Sequence, residues 1–117
     1  MAVDWPDGRL IMMGSGGSNR IRTALAQVLV GVVDRGEDLE TAIAAPRVHL
    51  EPGDPPAVDF EQAGEQRREQ VLSLFPEARG WDEPSMFFGG VHAVDRDARG
   101  NARGAGDPRR SGVAVAV

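Results

Sequence analysis

The 117-residue chain contains no cysteine and no lysine. The absence of cysteine excludes disulfides, thiolate nucleophiles and zinc-thiolate sites. No apolar run approaches the roughly 20 residues that span a bilayer, and the first eight residues, Met1 to Gly8, lack the basic start and apolar core of a secretory signal. The sequence therefore predicts no membrane association, and the cellular compartment stays open.

Excess positive charge is also lacking, because 13 basic residues, all arginine, face 18 acidic ones for a formal net charge of −5. This balance argues against a nucleic-acid partner. The two histidines, His49 and His92, are isolated and do not match metal-ligand spacing. With 41% hydrophobic and 26% charged residues, the composition predicts one soluble globular domain over residues 1–117, with no metal and no cofactor.

Hydrophobic patterning predicts a mixture of strands and helices, and hence an α+β fold with a mixed sheet and about three helices. An apolar stripe at helical spacing from Ile21 to Val33 predicts the first helix. Ser18 or Asn19 is its expected N-cap, and Gly36 its stop. Asp38 is expected to cap a second, short helix. The other predicted elements are strands at 10–13, 47–51, 57–61, 87–94, 101–106 and 113–117 and a third helix at 65–75, the strands at 47–61 and at 87–106 forming two hairpins.

A glycine-rich loop, Gly14 to Asn19, separates the first apolar strand from the first helix. Such a loop directs several backbone N–H groups at one place, which is typical of an anion site. It lacks the lysine of a P-loop and the last glycine of the dinucleotide fingerprint. Two interpretations stay open: a site for the oxyanion of a tetrahedral acyl intermediate, or a tight connection without a ligand.

A nucleophile to accompany an oxyanion site is not evident. Thr23 and Thr41 fall inside predicted helices, so neither is a chain-terminal residue whose amine could act as its base. Ser15 and Ser18 lie near the glycine loop, but the histidines fall on separate strands with no marked acid partner. An independent acyl hydrolase that uses Ser15 or Ser18 as its nucleophile is a further hypothesis, and labelling by a serine-reactive probe would test it.

Several blocks occur in the order and at the spacing of a known family. The chain resembles the carboxyl-terminal part of the small subunit of gamma-glutamyltranspeptidases along nearly its whole length. The blocks are Gly14-Ser15-Gly16-Gly17-Ser18-Asn19-Arg20-Ile21, then Asp38-Leu39 followed by Ala42-Ile43 and Ala45-Pro46-Arg47 with His49, then Phe87 to Val94, and finally Gly106-Asp107-Pro108-Arg109-Arg110.

The resemblance implies a fragment of an N-terminal-nucleophile hydrolase, whose αββα sandwich has two sheets between helices. A threonine exposed by autocleavage would attack a gamma-glutamyl carbonyl, and Gly16 and Gly17 would form the backbone oxyanion hole. The family's Ser-Pro-Gly-Gly-Ser block is altered here, without its proline and with Asn19 added. An alignment without a gap moves the pair to Gly17 and Ser18.

The threonine nucleophile, the autocleavage site and the substrate-binding residues of the family have no counterpart in this sequence. Enzyme activity is therefore expected of a whole that includes a missing upstream polypeptide or large subunit, and the isolated chain is expected to be inactive. The alternative function is a non-catalytic interaction or assembly module. Because the predicted helices cover one sheet face only, the isolated chain is expected to form a homo-oligomer through Phe87, Phe88 and the strand 113–117.

Overall fold

A computed structural model describes residues 1–115 of the chain. This part of the chain forms two sheets and three α-helices, which confirms the predicted α+β class. In chain order the elements are β1 (Ala2–Asp4), β2 (Leu10–Gly16), α1 (Ile21–Val33), α2 (Leu39–Ala44), β3 (Val48–Glu51), β4 (Ala57–Glu61), α3 (Glu65–Leu74), β5 (Arg79–Trp81), β6 (Gly90–Arg96) and β7 (Ala102–Ala105), with short 3₁₀ turns at Ser18–Arg20, Met86–Phe88 and Pro108–Arg110.

The larger sheet is antiparallel, in the order β1-β2-β6-β7. Its long central strands alternate between two environments, as a sheet with one covered face requires. Ile11 and Met13 are buried on one face, whereas Met12 and Val94 are 59% and 50% exposed on the other. The exposed face is therefore still apolar.

Helices α1 and α2 cover the buried face of this sheet. The core joins residues of the two helices to inward residues of β2, β6 and β7: Ile11, Met13, Ala24, Val28, Val32, Leu39, Ala42, Ile43, Val91, Ala93 and Ala105. Asp38 caps α2 as predicted, since its side chain accepts from the N–H groups of Glu40 and Thr41. Gly36 takes the left-handed conformation predicted for the stop of α1, with φ of +66°.

The smaller sheet, β3-β4-β5, is mixed. Strands β3 and β4 form the predicted hairpin, and β5 adds in parallel to β4 after α3. Helix α3 has no buried residue, so it crosses from β4 to β5 without adding to the core. The strands β1 and β5 were not predicted, because three residues are too few to show a pattern.

Several predicted boundaries are wrong in ways that matter for the glycine loop. Strand β2 does not end before Gly14 but continues to Gly16, paired with β6 as far as Gly90. Strand β6 starts at Gly90 rather than Phe87, because Met86–Phe88 forms a 3₁₀ turn. Residues 113–115 form no strand, and the rest of the strand predicted at 113–117 lies outside the described residues.

Within residues 1–115, no helix is long and apolar enough to span a bilayer. The same part of the chain brings no three potential metal-binding side chains together.

Candidate functional site at the glycine turn

The site begins where β2 leaves the sheet. Gly16 is still paired with Gly90 of β6, and the next two residues adopt left-handed conformations, with φ of +125° at Gly17 and +53° at Ser18. Glycine adopts such angles without strain, whereas a residue with a Cβ at position 17 would be strained. The chain thereby reverses in two residues and enters the 3₁₀ turn Ser18–Arg20 and α1.

The turn exposes backbone donors. The N–H groups of Gly17 and Ser18 donate to no acceptor within residues 1–115, whereas the Arg20 N–H donates to the Gly17 carbonyl at 3.2 Å. No side chain caps the start of α1, so the predicted capping by Ser18 or Asn19 is wrong. The free donors come from a sharp bend at the strand end rather than from a flexible loop.

Arg110 lies directly over this bend. A Cβ built on Gly16 or Gly17 would lie 3.5 to 3.8 Å from its guanidinium atoms, and one on Gly90 would lie 2.3 Å from its Cδ. The glycines thus provide the flat surface that the arginine stem crosses. Arg110 forms no ion pair within residues 1–115, so its positive charge lies over Gly16 and Gly17 without a carboxylate partner there.

Behind the turn lies a buried cluster of four charged residues, Arg47, Glu61, Asp107 and Arg109, each at most 7% exposed. Arg109 donates its Nε to Glu61 at 2.7 Å and its Nη1 to Asp107 at 3.2 Å. Arg47 donates its Nη2 to Asp107 at 2.6 Å. Two positive and two negative charges therefore neutralise one another, as burial demands.

This ionic cluster fixes the segment that faces the glycine turn. Asp107 also accepts from the Val91 N–H at 2.8 Å, and Arg47 donates to the Phe88 carbonyl at 3.2 Å. These two bonds bracket Gly89 and Gly90, the residues packed against Gly16 and Gly17. The cluster thus sets where β6 begins, and with it where β2 bends.

The charge states follow from this arrangement. Burial by itself would raise the pKa of Asp107, but hydrogen bonds from the N–H groups of Val91 and Arg109 and the charge of Arg47 hold it below its usual value. Burial and the neighbouring charge of Arg109 lower the pKa of Arg47. Burial by itself would lower the pKa of Arg109, but its bonds to Glu61 and Asp107 outweigh that effect and raise the pKa.

The side chains considered as nucleophiles are distributed as follows. Ser15 Oγ accepts from the Gly90 N–H at 3.3 Å and donates to the Gly16 carbonyl, so it braces the two strands. Thr41 donates to the capping Asp38. His49 is buried and, contrary to prediction, has an acid partner, because its Nε2 lies 3.0 Å from Glu51 Oε2. Within residues 1–115, no serine side chain is hydrogen-bonded to a histidine side chain.

Sequence reasoning identified the glycine turn but not the ionic cluster or the position of Arg110. The sequence places Arg47 and Glu61 at the ends of predicted strands, and it places Asp107 and Arg109 in a polar loop that belongs to a family block. Each lies beside a proline, at a strand end or next to another charge, positions that usually face water. Their burial could not be read from local pattern.

Comparisons with known proteins decide the family. The sequence matches the gamma-glutamyltranspeptidase family over residues 2–117. The chain belongs to the gamma-glutamyltranspeptidase family. A glutathione hydrolase of Aspergillus flavus is 32% identical over 115 residues, which are 96% of this chain and 19% of that protein.

Solved structures of the family share the fold. The transpeptidase CapD of Bacillus anthracis superposes with a TM-score of 0.78 and 28% identity, over 100% of this chain and 69% of that chain. The gamma-glutamyltranspeptidase of Pseudomonas nitroreducens complexed with L-DON gives 0.80 and 24%, over 100% and 60%. The fold is thus that of an N-terminal-nucleophile hydrolase fragment, and the family prediction is confirmed.

Proposed function

We propose that this chain is the carboxyl-terminal part of the small subunit of a gamma-glutamyltranspeptidase and supplies its oxyanion turn. The observation that carries the proposal is the bend at Gly17, where the N–H groups of Gly17 and Ser18 have no acceptor within residues 1–115 and the Arg110 guanidinium lies over Gly16 and Gly17. Two backbone donors next to a positive charge suit the oxyanion of a tetrahedral acyl intermediate.

The proposed pair of donors is Gly16 with Gly17, or Gly17 with Ser18, and Gly17 is common to both. The Gly16 residue belongs to the β2 and β6 ladder, whereas the N–H groups of Gly17 and Ser18 have no acceptor within residues 1–115. This difference favours the second pair.

The remaining parts of the proposed enzyme come from other polypeptide. The chain spans 19% of the glutathione hydrolase that it matches. An upstream polypeptide with a large subunit supplies the threonine nucleophile, and the substrate is a gamma-glutamyl amide such as glutathione. Packing of that polypeptide on the sheet would also cover the apolar face that carries Met12 and Val94.

Activity measurements test the proposal. The chain alone should release no aniline from a chromogenic gamma-glutamyl anilide, because Thr23 and Thr41 both lie inside helices. A chimera of the Aspergillus flavus hydrolase, with residues 2–117 in place of its matching segment, should undergo autocleavage and release aniline.

Two results would contradict the proposal. One is anilide release by the chain alone that survives repurification and is lost when Ser15 or Ser18 becomes alanine. The other is a chimera that cleaves itself but transfers no gamma-glutamyl group, since assembly would then be intact and the turn without a catalytic role.

A non-catalytic assembly module is the second candidate, favoured by the exposed sheet face. A groove of about 1010 Å3 lies between this face and the tail at 113–115, and Val113 and Val115 remain 81% and 78% exposed. Soluble monomers rarely leave such apolar surface open. Of the residues expected at the interface, Phe88 is buried inside the chain and Phe87 is half-buried.

Sedimentation of the isolated chain tests self-association. Pairing through the open face should give a dimer at tens of micromolar, and Met12→Glu should restore a monomer without loss of fold. A wild-type species of 12.5 kDa at that concentration would contradict homo-oligomer formation.

A further inference from the structure

A chain of side-chain contacts runs from β3 to the turn that follows Gly17. His49 is 3% exposed, and its two ring nitrogens lie 3.0 Å from Thr23 Oγ1 and 3.0 Å from Glu51 Oε2. Thr23 Oγ1 is also 3.1 Å from the Arg20 carbonyl. Glu51 in turn accepts from the Asn19 side chain at 3.4 Å. Both ends of the relay therefore contact the 3₁₀ turn Ser18–Arg20.

Proton counting gives this relay two arrangements. The Thr23 hydroxyl has one proton, which it donates either to the Arg20 carbonyl or to His49 Nδ1. The hydrogen bond from His49 lowers the pKa of Glu51, so that carboxylate is an acceptor and Nε2 donates to it. When Nδ1 is protonated, it donates to Thr23, and the hydroxyl proton stays on Arg20. When Nδ1 is not protonated, it competes for that proton.

We propose that His49 is a positioning residue for the glycine turn, and that its protonation decides whether the Thr23 hydroxyl holds the Arg20 carbonyl. The imidazolium state keeps Arg20 tied to α1 through Thr23. The neutral state turns the hydroxyl to Nδ1 and removes that tie. Arg20 also closes the bend, since its N–H donates to the Gly17 carbonyl at 3.2 Å. A shift of Arg20 is therefore transmitted to Gly17, whose own N–H is a free donor.

Other groups around His49 set the charge that it meets. Glu51 lies on its own strand, and Asp59 is its partner across β4. Asp59 is already bound by Arg79 and by the Trp81 Nε1. Phe87, in the segment before β6, packs against His49 in a T-shaped arrangement with the two ring centroids 6.2 Å apart. The guanidinium of Arg20, from the turn, lies 4.2 Å from the centroid of the Phe87 ring.

The coupling between His49 and the turn is a property of this chain, and only its catalytic consequence rests on the proposed function. The test is a pH titration of the full chain by NMR, following the His49 ring nitrogens and the carbonyl carbon of Arg20. The ring nitrogen shifts report whether Nδ1 carries a proton, and the Arg20 carbonyl shift should follow that state with the same midpoint. Hydrogen exchange of the Arg20 N–H should become faster over the same range.

Three variants separate positioning from a merely structural role. Thr23→Val should abolish the response of the Arg20 carbonyl to the state of the His49 ring, and Thr23→Ser should restore that response because the hydroxyl is retained. His92→Gln removes the exposed histidine and should change nothing at Arg20. An Arg20 carbonyl that ignores the titration of His49, or that still follows it in Thr23→Val, would overturn the proposal. Loss of the oxyanion role alone would leave these spectra unchanged.

Discussion

Replacing Asp107 by alanine should lower the free energy of unfolding by about 3 to 5 kcal/mol, because removing one member of a buried ion cluster leaves the others unpaired. Asp107 is fully buried and accepts from Arg47, Arg109 and the Val91 N–H. Small domains have only about 5 to 15 kcal/mol in total, so the variant should be partly unfolded at 37 °C. Chemical denaturation followed by circular dichroism measures the change.

A matched control is Arg35→Ala, which breaks an ion pair with Glu37 whose arginine side chain is 52% exposed. Exposed pairs contribute at most about 1 kcal/mol, so this variant should be close to wild type. Equal losses in the two variants would show that the buried cluster has no special weight.

Acid should act on the same cluster with a defined sign. The pKa of Asp107 is lowered in the folded protein, so its contribution is complete above the unfolded value of about 3.9 and is lost as pH falls through the folded value. The stability gap between wild type and Asp107→Ala should therefore narrow below pH 4. A gap that stays constant to pH 2 would contradict this reading of Asp107.

Replacing Gly17 by alanine should reduce kcat of the hydrolase chimera by about 100-fold to 1,000-fold, the usual cost of losing one oxyanion donor. The φ of +125° at Gly17 is strained for a residue with a Cβ, so the bend should relax and redirect the N–H groups of Gly17 and Ser18. Anilide release at saturating substrate measures kcat, and autocleavage on a gel shows that assembly is intact.

A glycine control separates strain from position. Gly64→Ala places a side chain at a φ of +93° at the start of α3, with nothing within 4 Å. It should keep kcat within a few-fold of wild type. A Gly17→Ala chimera that retains full kcat would refute the oxyanion role.

Local pattern predicted most of the elements of this fold. Helix α1 and the two hairpins carry their periodicity in neighbouring residues, and Asp38 caps α2 through bonds to N–H groups two and three residues away. The three-residue strands β1 and β5 could not be predicted, because three residues are too few to show a periodic pattern. The predicted start of β6 at Phe87 was also wrong, because the apolar pair Phe87 and Phe88 suits a 3₁₀ turn as well as a strand.

The sequence by itself determined the α+β class, the family and the place of the glycine turn, because each depends on residue order and on local backbone preference. Only the tertiary structure decided that Arg47, Glu61, Asp107 and Arg109 meet, over sequence separations of up to 60 residues. It also decided that Arg110 crosses the turn and that His49 faces Glu51 and Thr23. Which distant charges pair depends on how the two sheets pack. Charged residues that are buried because they neutralise one another do not alter the local hydrophobic periodicity.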